Sequence, residues 1–222
     1  MIAYVPVVMP ADLKTQSNGK LGPCSIESVF FPGVGHLSLH PHAARSWNLM
    51  AALMHAQIGV TMSTTGTYRT YDQQLRLFLA RYTDSYLPLR NVTTSQRTWN
   101  GKTWYLRRGN APCAVPGTSN HGWALAIDTA IAKSTFDSAA GKYVTKIVGI
   151  TSDLRAWKWL VENAVSFGWS WEGTKVAPTW MPGQPAAAGW EPWHLRYTAG
   201  DVTPQRILDL EAWFAAAAEA AK

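Results

Sequence analysis

The 222-residue sequence has only two cysteines, Cys24 and Cys113, and no Cys-x-x-Cys pair. This scarcity excludes a disulfide scaffold and a structural metal site built from thiolates. A single bridge between the two remains open, although two buried free thiols are the simpler expectation. No apolar stretch reaches the roughly 18 residues that a membrane span needs, so we expect no transmembrane segment.

Other common signals are missing as well. Residues 1–10 have no basic n-region and no signal-peptide core, which predicts synthesis in the cytoplasm without a signal peptide. Lys and Arg are scattered rather than interleaved with aromatics, which argues against a nucleic-acid partner. No internal repeat or low-complexity linker appears, and we expect one large domain that acts as a monomer.

The sequence is rich in tryptophan, with 12 residues, and carries a net charge of +6. Tryptophan residues more often lie in the core or in the wall of a cleft than form a dedicated binding platform. The positive charge fits either attraction to a polyanion, such as an acidic cell wall, or the ordinary offset of a soluble protein.

Hydrophobic periodicity predicts an α+β fold, with a small, mostly antiparallel sheet flanked by helices. Residues 1–40, rich in Pro, Gly and Ser, form an extended N-terminal arm packed on a main domain at 41–200, followed by a C-terminal helix within 201–222. We expect helices at 41–58, 71–82, 152–167 and 203–220, strands at 60–67, 123–130 and 193–197, a loop at 169–190, and a hairpin at 92–107 that turns at Asn100-Gly101.

The candidate metal ligands lie in two segments. His121 and Asp128 flank the predicted strand 123–130, which can bring both side chains to one edge. A carboxylate directly after Leu125-Ala126-Ile127 is costly to bury unless it meets a cation. The plainer alternatives are a loop histidine and a strand-end cap.

The second segment is Glu191-Pro-Trp-His194. A bend at Pro192 would let His194 bind a metal while Glu191 stands beside it, with Trp193 packed behind. A solvated carboxylate and a core histidine are the plainer alternatives. Together the two segments supply two imidazoles, one ligating carboxylate and one spare carboxylate, which is the inventory of a hydrolytic zinc site.

A third segment, Gly66 to Gln74, contains Arg69 at a strand-to-helix junction. Arg69 could clamp a substrate carboxylate or a developing oxyanion through its two fixed donors. The alternative is a surface arginine that pairs with Asp72.

The three motifs, G-x-Y-R-x-Y-x-x-Q, S-x-H-x6-D and E-x-W-H-x-x-Y, resemble those of the zinc D-alanyl-D-alanine carboxypeptidases of the LAS type. Relatives include vancomycin-resistance peptidases, phage L-alanyl-D-glutamate endolysins and the hedgehog signalling domain. The resemblance implies a zinc peptidase domain in which His121, Asp128 and His194 bind Zn²⁺. It also implies Glu191 as catalytic base, Arg69 as clamp and Ser119 as a substrate contact, with Tyr71 and Gln74 supporting the Arg69 turn. Ala124 departs from the family, which commonly has Gly there, and would crowd the strand slightly.

The function expected is that of an endolysin-type peptidase, which hydrolyses an amide bond of the bacterial peptidoglycan stem peptide by metal-activated water. It would act on the cell wall after phage-mediated release. A D-alanyl-D-alanine dipeptidase or carboxypeptidase is one alternative, and a non-catalytic, hedgehog-like zinc module is another. The carboxylate of Glu191 beside His194 argues against the module, which needs no base.

Overall fold

The protein is described by a computed structural model that covers residues 5–85, 91–172, 181 and 190–220. Its strands are β1 Glu27–Phe31, β2 Gly35–Leu39, β3 Met62–Gly66, β4 Tyr82–Thr83, β5 Val92–Trp99, β6 Lys102–Arg107, β7 Ala126–Asp137, β8 Lys142–Gly149, β9 Trp169–Trp171 and β10 His194–Tyr197. The α-helices are α1 Pro41–Ile58, α2 Tyr71–Arg81, α3 Leu154–Asn163 and α4 Gln205–Ala220.

An antiparallel sheet in the order β3-β7-β10-β9 forms the centre of the fold, and β8 pairs with the outer half of β7. The first half of β7 is almost entirely buried, which fits its apolar residues Ala126, Ile127, Ala130 and Ile131, and Asp128 is its one charged residue. Helix α1 packs on this core through Trp47, Met50 and Met54. The predicted α+β fold with a mostly antiparallel sheet is confirmed.

Tryptophans fill the core behind β9 and β10. Trp157, Trp169, Trp171 and Trp190 are all less than 9 % exposed. Trp157 contacts both Trp171 and Trp190, with ring centroids 5.4 and 6.0 Å apart. The prediction that tryptophan serves mainly as core holds for these residues.

A second, smaller sheet has the order β4-β6-β5. Its separate apolar cluster is built on Phe78, Tyr82 and Leu106. The hairpin between β5 and β6 turns at Asn100 and Gly101 as predicted, and both residues have positive φ values, 49° and 71°.

The structure differs locally from the sequence predictions in four places. The arm at 1–40 contains a β-hairpin, β1–β2, and two 3-10 turns. The segment after residue 130 continues as the long hairpin β7–β8, which the sequence pattern did not indicate. Helix α3 begins at Leu154 and not at residue 152, and it is capped by Asp153, whose side chain accepts from the amides of Arg155 and Ala156. Cys24 is exposed and Cys113 half-buried, and both are free thiols.

Most of the predicted loop at 169–190 lies outside the described residues, although its start forms β9. None of the helices that the structure describes is long and apolar enough to cross a membrane.

Candidate metal centre and active site

His121, Asp128 and His194 come together at one edge of the central sheet. Each offers one donor atom, and these atoms all lie within 4.8 Å of one another. His121 Nε2 is 3.4 Å from Asp128 Oδ2, and His194 Nδ1 is 3.1 Å from Asp128 Oδ1. Both histidines are buried. Two imidazoles and a carboxylate that converge in this way are a suitable donor set for a divalent metal such as zinc.

Strand pairing brings two of these residues together. His194 in β10 lies directly opposite Asp128 in β7, and directly opposite residues in adjacent strands have Cβ atoms about 5 Å apart. Gly66 in β3 pairs with Asp128 from the other side. A Cβ on Gly66 would lie only 2.9 Å from Asp128 Oδ2, so glycine leaves the space that the carboxylate occupies.

The ring of His121 is oriented by a backbone carbonyl. Its Nδ1–H donates to the oxygen of Thr67 at 2.7 Å, which leaves the Nε2 lone pair directed at the cluster. The amide of Arg69 in turn donates to the carbonyl of His121 at 3.1 Å. This hydrogen bond holds the segment from Gly66 to Gln74 against His121.

Electrostatics favour the ionised form of Asp128. Burial raises the pKa of this carboxyl, but hydrogen bonds and charge interactions with His121 and His194 outweigh burial and bring the pKa well below its ordinary value. The expected cost of burying this carboxylate is therefore offset by its contacts with the two imidazoles.

The expected bend at Pro192 is present. The amide of His194 donates to the carbonyl of Glu191 at 3.0 Å, which closes a tight turn with Pro192 at its second position. The indole Nε1–H of Trp171 donates to the Pro192 carbonyl at 2.8 Å and anchors this turn to the tryptophan core. The buried tryptophans thus support the segment that carries Glu191 and His194.

Arg69 lies within electrostatic range of Asp128 and of Glu191. Burial lowers the pKa of Arg69, whereas the charges of Asp128 and Glu191 act in the opposite direction. Arginine keeps its charge in proteins, so Arg69 remains a cation. Among the described residues no ion pair joins Arg69 to Asp72, so the surface-pair alternative has no support. Glu191 is exposed to solvent.

Gln74 positions the Arg69 side chain. Arg69 Nη1 donates to Gln74 Oε1 at 2.8 Å, and Gln74 Nε2 donates to the carbonyl of Ala114 at 2.6 Å. Tyr71 begins α2, and its amide donates to the carbonyl of Gly19. Ser119 is buried at the start of the 3-10 turn Asn120–Trp123, and its contact with substrate stays a prediction.

The N-terminal arm supports the site in a way that the motifs did not indicate. Asn18 Nδ2 donates to the carbonyl of Ser119 at 2.8 Å, and the amide of Gly19 donates to the carbonyl of Gly122 at 2.8 Å. With its contact to Tyr71, the arm therefore holds two of the three motif segments. Only the long-range fold reveals these contacts.

Two expectations need correction. The Trp193 side chain is 42 % exposed and does not pack behind the site; its carbonyl accepts from the amide and the hydroxyl of Thr129 instead. Ala124 precedes β7 and does not lie within a strand. It ends the 3-10 turn with a φ of 55°, a left-handed conformation that explains why glycine suits this position.

Comparison with known proteins gives a family match over residues 36–200, to the VanY D-alanyl-D-alanine carboxypeptidases. The chain therefore belongs to this family. No curated protein matches it. Among solved structures, a vancomycin-resistance D,D-pentapeptidase VanY variant in complex with Zn(II) is similar, with 18 % identity, coverage of 84 % of this chain and 91 % of the other, and a TM-score of 0.42.

Two further solved structures are similar to the chain. VanYB in complex with D-alanine-D-alanine has 16 % identity, coverage of 86 % and 84 %, and a TM-score of 0.43. The LdcB LD-carboxypeptidase has 17 % identity, coverage of 85 % and 88 %, and a TM-score of 0.40. The His/Asp/His group can hold a metal ion and fits the predicted Zn²⁺. The pentapeptidase above was determined with Zn(II).

Proposed function

We propose that this protein is a zinc-dependent peptidase that hydrolyses an amide bond in the stem peptide of bacterial peptidoglycan. The observation that carries the proposal is the convergence of His121, Asp128 and His194, in a chain of the D-alanyl-D-alanine carboxypeptidase family. Arg69 lies within electrostatic range of Asp128 and Glu191. The residue roles below are part of the proposal.

His121, through Nε2, Asp128 and His194, through Nδ1, would hold the metal. The donor set fits zinc: two neutral imidazole nitrogens and one carboxylate leave a fourth position free in a tetrahedral site. The Thr67 carbonyl supports this assignment, because it fixes the His121 tautomer with the lone pair on Nε2. When bound, zinc supplies Lewis acidity and makes water a stronger acid near neutral pH.

Glu191 would move the proton. Its carboxylate accepts a proton from the attacking water and passes it to the amine that leaves, so the amide becomes a carboxylate and an amine. The turn closed by the His194 amide supports this role, because it holds the Glu191 carbonyl 3.0 Å from the backbone amide of a metal-ligand candidate. Exposure of Glu191 leaves the carboxylate accessible to substrate and water.

Arg69 would bind the negative charge of the peptide. Its guanidinium is half-buried, is held by Gln74 and lies within electrostatic range of both Asp128 and Glu191. A fixed planar cation beside the reacting carbonyl can clamp a substrate carboxylate or stabilise the oxyanion that forms in the transition state. Ser119 would add a further contact to the peptide.

The finer proposal is an endolysin-type activity on a bond within the stem peptide. Charge distribution supports a polymeric, acidic target. The segment from Phe78 to Val115 has six Lys or Arg residues against one acid, Asp84, and so holds most of the chain's net charge of +6. Arg97 and Arg107 in this segment are exposed on the small sheet. Such a surface attracts anionic polymers.

A second candidate is removal of the terminal D-alanine by a D,D-carboxypeptidase. The family match favours it, because the family is described by that activity. An arginine beside the metal centre suits a free terminal carboxylate as well as an internal oxyanion.

Purified sacculi test both proposals. The zinc-loaded protein is incubated with sacculi, and the released fragments are identified by mass spectrometry. New amino and carboxyl ends within the stem peptide support the endolysin-type activity, whereas release of free D-alanine supports the carboxypeptidase. Absence of any new ends, or identical products from Glu191→Ala, would overturn the proposed function.

A further inference from the structure

The second ring nitrogen of His194 faces a carboxylate that has no role in the proposed chemistry. Nδ1 of His194 is directed at Asp128, whereas Nε2 lies 3.7 Å from Oε2 of Glu172. This Nε2 is buried and has no hydrogen-bond partner at normal distance. Within the part of the chain that the structure describes, Glu172 is the acidic residue that approaches Nε2 to within 4.0 Å.

The chemistry of imidazole makes this contact informative. A neutral histidine ring has a single N–H, so a ring that gives the Nδ1 lone pair to a metal keeps its proton on Nε2. A buried N–H needs an acceptor, since an unmade hydrogen bond in the interior is unfavourable. The carboxylate of Glu172 stands where that acceptor is required.

The structure also fixes the position of Glu172. Asn120 Nδ2 donates to Glu172 Oε2 at 2.7 Å, and Asn120 directly precedes His121. Glu172 follows β9, whose Trp171 pairs with Leu195 in β10, the residue after His194. Glu172 thus connects the segments that carry the two histidines.

We propose that Glu172 is a positioning residue for the metal centre. Its carboxylate accepts the Nε2–H of His194 after a small rotation that shortens the 3.7 Å separation to hydrogen-bond length. This contact holds the ring with Nδ1 towards the metal and increases its basicity. Asn120 keeps the carboxylate in place. The inference rests on the ligand set of the proposed function.

Zinc affinity tests this role independently of catalysis. Glu172→Ala, Glu172→Gln and Asn120→Ala are compared with the wild type by competition against a chromophoric zinc chelator. Removal of such an orienting partner typically weakens metal binding about 10–100-fold, and we expect this for Glu172→Ala. Glu172→Gln keeps an acceptor oxygen and should lose less. Glu162→Ala, which removes an exposed carboxylate from α3, is the matched control and should bind zinc normally.

Two further readouts separate positioning from other roles. The zinc-free form of Glu172→Ala should unfold at the wild-type temperature, because the side chain is 58 % exposed. Its hydrolysis should recover at saturating zinc, whereas Glu191→Ala should bind zinc normally and stay inactive. Unchanged zinc affinity in Glu172→Ala would overturn the inference, and so would activity that stays low at saturating zinc. If the wild type binds zinc but cleaves no peptidoglycan, the proposed function fails while the affinity test still decides the role of Glu172.

Discussion

Gly66→Ala should impair the metal centre while leaving the fold intact. Gly66 lies in β3 opposite Asp128, and its φ is not in the left-handed region, so alanine can adopt the same backbone. The added Cβ would lie 2.9 Å from Asp128 Oδ2 and 3.8 Å from His121 Cε1. The first distance is shorter than ordinary van der Waals contact, so the Asp128 carboxylate must move.

The close contact should weaken zinc binding more than it destabilises the fold. Overpacking of a filled site costs about 1–3 kcal/mol. In the zinc-free protein the carboxylate can relieve the contact by rotation, but in the zinc-bound protein it must occupy its ligand position. The strain should therefore weaken zinc affinity about 10–100-fold, since about 1.4 kcal/mol corresponds to a factor of ten. The free energy of unfolding without zinc should change much less.

Chelator competition measures the affinity, and urea denaturation without zinc measures the fold. Gly149→Ala is the matched control, because its Cβ meets only Thr151 Oγ1 at an ordinary 3.8 Å. Wild-type zinc affinity in Gly66→Ala would refute the reasoning, since Asp128 could then not be a ligand in the position that the structure gives it.

Four further predictions concern the reaction, the backbone and the target. Glu191→Ala should keep its zinc, while hydrolysis of sacculi falls about 10²–10⁴-fold; full activity would mean that another residue is the base. Arg69→Lys should slow peptide turnover without loss of zinc, because lysine offers a point charge in place of a planar fork, and a wild-type rate would remove the clamp from the mechanism. Ala124→Gly should change the free energy of unfolding by no more than about 1 kcal/mol, because relief of the left-handed strain is offset by loss of a buried methyl group; a larger loss in urea denaturation would contradict this. Charge reversal at Arg97 and Arg107 should weaken binding to sacculi in low salt but leave turnover of a short soluble peptide unchanged, and salt-independent binding would argue against electrostatic attraction to the wall.

Helix-boundary and turn residues in the sequence predicted the helix and the hairpin that they begin or end. Pro41 begins α1 and Gly59 ends it with a φ of 68°, as the helix-boundary rules imply. Asn100-Gly101 placed the hairpin correctly. The strand β8 was missed although Tyr143, Val144, Ile147 and Val148 favour a strand, because none of its residues is buried and its apolar residues mark no core face. The β1–β2 hairpin was missed because its flanking Pro and Gly residues resemble those of an extended arm.

The sequence predicted which residues form the candidate site. It did not predict the contacts that hold those residues in place. Motif order identified the three ligand candidates, and Pro192 indicated the bend that the structure contains. The supporting contacts are long-range: the Thr67 carbonyl is 54 residues from His121, and Asn18 is 101 residues from Ser119. Strand register decides which groups meet, and sequence spacing alone does not reveal register.

Zinc content per chain tests the central claim most directly. The wild-type protein, stripped with a chelator, reloaded with zinc and desalted, is measured by atomic emission beside Asp128→Ala. The structure predicts about one zinc per wild-type chain, with three protein ligands, and almost none in Asp128→Ala. A wild-type protein that retains no zinc, or an Asp128→Ala protein that retains as much as the wild type, would contradict the metal centre on which the proposed function depends.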